Sequence, residues 1–97
     1  MRKYEIHLPL NYSDGQSVEP ERIRRVHLEV LSVFGSFTVP YQKSWEYHPN
    51  STTEIVKIEA ITSSKITKKR LKNLKERLKE SLRRSDILIM IRSIQRF

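Results

Sequence analysis

Four leucines constrain this chain more than anything else in it. Leu71, Leu74, Leu78 and Leu82 recur at spacings of three, four and four, which stacks them on one stripe of an α-helix. No Gly or Pro interrupts residues 65–84, and the Lys, Leu, Arg and Glu that fill it are good helix formers. The sequence predicts a helix there, anchored by its leucines.

The same twenty residues hold ten basic and two acidic side chains, whereas the other 77 hold nine of each. The net charge of +8 therefore belongs to this one segment. At about 100° per residue, Lys68, Lys72, Lys75, Lys79 and Arg83 gather along one flank of the leucine stripe. Arg70, Arg77 and Arg84, seven apart, run up the other flank. Glu76 and Glu80 fall on the outer ridge near Lys69, where Glu80 can reach Arg84. Lys65, Lys68, Lys69 and Arg70 crowd the N-terminal turn, where the helix dipole disfavours cations and unpaired backbone N–H groups point the same way, a combination suited to phosphate. From this pattern we expect a nucleic-acid-binding surface of Lys65, Lys68, Lys69, Arg70, Lys72, Lys75, Lys79 and Arg83 that contacts phosphates without reading sequence. The alternatives are docking on an acidic protein partner and a solvated lysine face that only keeps the protein in solution.

Residues 3–10 alternate apolar and polar, with Tyr4, Ile6, Leu8 and Leu10 on one side, and read as a half-buried strand. Asn11 to Gln16 is a polar turn marked by Asp14-Gly15. Pro20, flanked by Glu19 and Glu21, suits the first turn of a helix that buries Ile23, Val26, Val30, Val33 and Phe34 and ends at Gly35. Leu28 lies off that stripe. Phe37 to Tyr47 favours strand but is broken by Pro40, which fits an edge. His48 to Thr53 is turn material, Glu54 to Thr62 a third strand, and Asp86 to Gln95 a fourth.

The order β-α-β-β-α-β over 97 residues is that of a single domain. It folds most simply as a ferredoxin-like α+β sandwich, a four-stranded antiparallel sheet with two helices on one face. With Tyr4, Ile6 and Leu8 under the helices, Lys3, Glu5 and His7 face the open side. The last strand is too apolar for one solvated face, since Ile87 to Ile91 is apolar at every position. An uncovered apolar face or edge invites a partner. A homodimer is expected, with Leu88, Met90, Ile94, Ile55 and Ile61 at its interface.

The absence of cysteine excludes disulfides, thiol nucleophiles and thiolate metal sites. No apolar run reaches the roughly 18 residues of a membrane span, and the Met-Arg-Lys start is not followed by a signal-peptide core. A cytoplasmic protein with no membrane contact and no cofactor is expected. His7, His27 and His48 have no metal-ligand spacing, and two glycines cannot build a phosphate loop. Asn11, Tyr12 and Asp14, with His7, form the one polar group suited to catalysis, as a small metal-dependent nuclease or hydrolase using Asp14. The other reading of Asp14-Gly15 is a turn cap. Recognition of RNA through the sheet requires aromatics on the central strands, and residues 54–61 contain none. Phe37, Tyr41, Trp45 and Tyr47 lie on the expected edge strand instead.

The opening Tyr4-Glu5-Ile6-His7-Leu8-Pro9-Leu10-Asn11-Tyr12-Ser13-Asp14-Gly15, followed by Glu19-Pro20-Glu21, resembles a family of small prokaryotic proteins with no assigned activity. That resemblance implies no mechanism.

Overall fold

Alternation at the start of the chain is realised as strand β1 (Arg2–Pro9), whose Tyr4, Ile6 and Leu8 are buried. The remaining elements of the computed structural model follow as helix α1 (Pro20–Phe34), β2 (Ser44–His48), β3 (Ser51–Thr62), helix α2 (Lys68–Leu82) and β4 (Leu88–Ser93). It describes residues 1–39, 44–48, 51–63 and 65–95, with backbone alone at 44–48 and 51–53. The fold is α+β, with both helices packed on one face of an antiparallel sheet whose strands run in the order β2-β3-β1-β4.

The central pairing is β1 with β3, in a register that sets Tyr4 opposite Ala60, Ile6 opposite Ile58 and Leu8 opposite Val56. On its other side β1 pairs with β4, placing Ile6 opposite Ile89 and His7 opposite Leu88. Residues directly opposite share a face. One core cluster therefore joins Tyr4, Ile6, Leu8 and Ile58 of the sheet to Val26, Val30 and Val33 of α1 and to Leu74, Leu78 and Leu82 of α2. Each leucine of α2 removed from water in this way contributes roughly 2 kcal/mol. Leu71, at the first turn, is only half-buried, and Leu28 is exposed on the outside of α1.

Helix boundaries differ from the sequence expectation at α2. Thr67, not identified as a cap from sequence, accepts a hydrogen bond at its Oγ1 from the Arg70 N–H at 3.2 Å. The helix therefore begins at Lys68 and Lys65 precedes it. At the other end no glycine is present, and Arg83 itself takes the left-handed conformation at φ 51°, while the Arg83 and Arg84 N–H groups return to the carbonyls of Glu80 and Lys79. This turn carries Arg84 away from Glu80, and the expected pair between them is not made. In α1, Pro20 occupies the first turn and Gly35, at φ 79°, closes the helix through its N–H to the Leu31 carbonyl, as expected.

The strands are also adjusted. Between Phe37 and Tyr47 the chain first makes a bridge of Thr38 with Glu59, then pairs Ser44–His48 with β3. Pro40, expected to break the edge strand, and Tyr41, expected on it, lie outside the described residues. Of the expected turn from His48 to Thr53, Pro49 and Asn50 also lie outside them, whereas residues 51–53 are the start of β3. Fewer residues are lost to the turn because β3 continues to pair with β2 as far as His48.

Candidate nucleic-acid interface

Seating the leucine stripe on the sheet settles where each cation of α2 points. Arg70, Arg77 and Arg84 face the neighbouring elements. The Arg77 Nε lies 2.8 Å from a Glu29 carboxylate oxygen of α1, and Arg70 Nη2 lies 3.5 Å from the Ser32 carbonyl. Arg84 Nη2 donates to the Asn11 carbonyl at 2.6 Å. In the reverse direction, Arg22 of α1 donates to the Ser81 carbonyl at 2.8 Å. These four arginines join antiparallel α1 and α2 and tie the end of α2 to the loop after β1. Guanidinium groups suit this role, since their fixed fork of donors reaches carbonyls and carboxylates across a seam.

The lysine flank is divided. Lys75 pairs with Asp86 at 2.8 Å and Lys79 with Glu76 at 3.2 Å. The ammonium next to Asp86 holds its carboxyl below the usual range. Lys65, Lys68, Lys69 and Lys72 are exposed and have no carboxylate or carbonyl partner among the described residues. Of the eight residues assigned to the interface from sequence, these four are uncommitted. Lys75 and Lys79 are ion-paired, Arg70 leans on α1, and the Arg83 guanidinium stands 4.9 Å from the centre of the Tyr12 ring. Thr67 already occupies the Arg70 N–H, so the start of the helix offers an anion fewer backbone donors than the sequence pattern suggested.

Asn11, Tyr12, Asp14 and His7 are not brought together. Tyr12 is buried in the core cluster, and its hydroxyl donates to Glu19, which also pairs with Arg22 at 3.5 Å. That hydrogen bond raises the Tyr12 pKa and lowers that of Glu19. The Asp14 carboxylate accepts from the Gln16 N–H at 3.0 Å, the geometry of an Asx turn. His7 points to the opposite face of the sheet. Among the described residues no three His, Asp or Glu side chains gather as a metal site.

The open face of the sheet carries a feature the sequence reading missed. Glu5 is buried there, with Lys3 3.2 Å from one carboxylate oxygen, and His7 and Arg92 at 3.8 and 3.9 Å from the other. Lys3 also reaches Glu59 at 3.3 Å. The signal lay in the alternation of Lys3, Glu5 and His7 opposite Lys57 and Glu59. Leu88, Met90 and Ile61 flank this network on the same face, Leu88 and Ile61 being about half exposed. Ile55, expected at an interface, is instead buried within the chain at 3% exposure, on β3 between Pro9 of β1 and Ser44 of β2. Ile94 lies past the end of β4, its N–H held by the Met1 carbonyl.

Comparison with known proteins adds a fold likeness. No family model and no curated protein matches the chain. Among solved structures, an apo phage SAM lyase aligns with a TM-score of 0.67 at 14% identity, covering 94% of this chain and 78% of that one. A phage SAM lyase in complex with S-methyl-5′-thioadenosine aligns at 0.66 and 16% identity, covering 94% and 79%. A de novo designed protein with ferredoxin fold aligns at 0.41 and 20% identity, covering 96% and 84%. At these identities the lyases share the fold. No helix among the described residues is long and apolar enough to cross a membrane.

The Glu5 network has a measurable pH signature. The hydrogen bond from Lys3, aided by Arg92 and Lys57 and opposed by burial, holds the Glu5 carboxyl below its ordinary 4.5. Its stabilising contribution is complete above that value and is lost as pH falls through the lower folded value. Carboxyl NMR should show Glu5 titrating below 4.5 and moving upward in Lys3→Met; an unchanged titration in that variant would contradict the pairing.

Proposed function

We propose that this chain is a ferredoxin-like, four-stranded binding module that holds polyanions, nucleic-acid phosphates foremost, on the N-terminal part of α2 without strong sequence specificity. The observation that carries this reading is the set of four exposed lysines, Lys65, Lys68, Lys69 and Lys72, that no carboxylate of the described residues neutralises. Four such charges at one end of a helix concentrate positive potential, and released counterions drive phosphate binding. The contact is electrostatic and weak, with a Kd on the order of 10⁻⁴ M at physiological salt. Docking on an acidic protein is the competing use of the same lysines. Binding to mixed-sequence DNA and RNA should fall with salt at a log–log slope of about −3 to −4 for four phosphates neutralised. It should be lost when Lys68, Lys69 and Lys72 become Glu. Salt-independent binding, or an unaffected triple variant, would end this reading.

A homodimer is the second part of the proposal. Leu88 and Ile61 are exposed on the open face, and the edge of β4 carries Leu88-Ile89-Met90-Ile91 with no Pro and a single charge, Arg92. Natural edges are blunted by charge, Pro or bulges, and Leu88-Ile89-Met90-Ile91 of this one carries neither charge nor Pro. Light scattering at tens of micromolar should report twice the chain mass, whereas Leu88→Lys should report the monomer. A wild-type monomer would contradict the dimer.

The likeness to phage SAM lyases supports another reading, in which the fold binds a nucleoside thioether of the S-methyl-5′-thioadenosine type. Fold alone does not transfer an activity. Calorimetric titration with S-methyl-5′-thioadenosine tests it: saturable heat at millimolar ligand or below selects this reading, and no heat removes it.

A further inference from the structure

We propose that a partly open apolar pocket between the two helices and the sheet is a binding site for a small, neutral, monocyclic aromatic molecule carrying one O–H or N–H group. The pocket has a volume of about 200 Å³. Its walls are Leu8 and Leu10 at the end of β1, Ile23 and Val26 of α1, Val56 of β3 and Leu82 at the end of α2. Val39, half exposed, stands at its rim. None of the side chains that line it is charged, and the one polar group is the imidazole of His27.

Volume and lining together select the ligand. Protein interiors are packed to crystal-like density and leave few voids larger than a water molecule. An apolar cavity of about 150 Å³ accommodates a benzene ring and stays free of water, so a pocket of this size takes a single ring with a small substituent. A charged ligand would lose its hydration without gaining a counter-ion.

His27 provides the directional contact. It is half-buried, its ring lies 5.5 Å from Phe37 in edge-to-face contact, and no acid pairs with it among the described residues. Burial lowers its pKa, so at neutral pH the imidazole is uncharged and presents one N–H and one acceptor nitrogen. His27 is the one side chain of the lining with hydrogen-bonding groups, so a ring bearing a hydroxyl or N–H group has a partner there that a hydrocarbon of the same shape cannot use. The pocket is lined by neither the α2 lysines nor the open sheet face, so the inference stands apart from the polyanion and dimer readings.

The test uses phenol and toluene, near-isosteres that differ in the hydroxyl, added to the full chain and followed by methyl NMR. Phenol should shift the methyls of Leu8, Leu10, Ile23, Val26, Val56 and Leu82 in a saturable way at millimolar concentration, with Kd several-fold below that of toluene. In His27→Phe the order should reverse. In a folded Val26→Leu, which adds one methylene to the wall, both probes should weaken several-fold. The inference is overturned if neither probe shifts these methyls up to about 10 mM. It is equally overturned if Val26→Leu leaves both affinities unchanged, or if the phenol preference survives in a folded His27→Phe.

Discussion

Everything that distinguishes the surface of this protein depends on how α2 is rotated about its own axis. Leu74, Leu78 and Leu82 are fully buried against the sheet, and their contact with Tyr4, Ile6 and Ile58 leaves the helix no freedom to turn. A rotation of even one residue, about 100°, would expose leucine and bury lysine. Because burying an unpaired ammonium costs several kcal/mol, the charge pattern and the apolar stripe specify the same orientation. The sorting of cations is set by that orientation.

Arginine and lysine are divided by it. Arg70, Arg77 and Arg84 recur every seven residues and reach Ser32, Glu29 and Asn11. They work at the seam between α2 and the elements beside it. Arg22 answers from α1 through the Ser81 carbonyl. Exposed pairs of this kind contribute up to about 1 kcal/mol each, so their value lies in fixing the relative placement of the helices. The α1 helix has no basic residue in its own last turn, and Arg70 brings a cation to that negative end from the neighbouring helix. Lys65, Lys68, Lys69 and Lys72, by contrast, project away from partners. The total charge of α2 overstates its free charge, since half of the cations assigned to an interface from sequence are already engaged.

Much of this was legible from periodicity. Alternation through Tyr4, Ile6 and Leu8, the valines of α1 and the leucines of α2 identified the three main walls of the core, and Pro20 and Gly35 bounded α1. The apolar run over residues 87–91 divides between the faces, Ile87 and Ile89 going to the core and Leu88 and Met90 to the open side, which alternation alone could not assign in an unbroken apolar run. The ends of α2 were less legible. Thr67 caps one end with a hydroxyl that resembles any other threonine in sequence, and Arg83 closes the other where glycine is usual. Pairings between distant residues, such as Lys75 with Asp86 or Arg77 with Glu29, depend on tertiary placement and leave no local signal. Glu5 was legible in part: the alternation of Lys3, Glu5 and His7 gave its face, but its burial depends on Lys3, His7 and Arg92 meeting around it.

If the cations of α2 are sorted in this way, the helix meets a polyanion with its N-terminal lysines alone. Backbone amide NMR during titration with a short mixed-sequence oligonucleotide at low salt reads that contact residue by residue. Shifts should concentrate over residues 65–72, with Leu88, Met90 and the seam at Glu29 and Ser32 unmoved. Shifts confined to the open sheet face, or distributed evenly along α2 to Arg84, would contradict it.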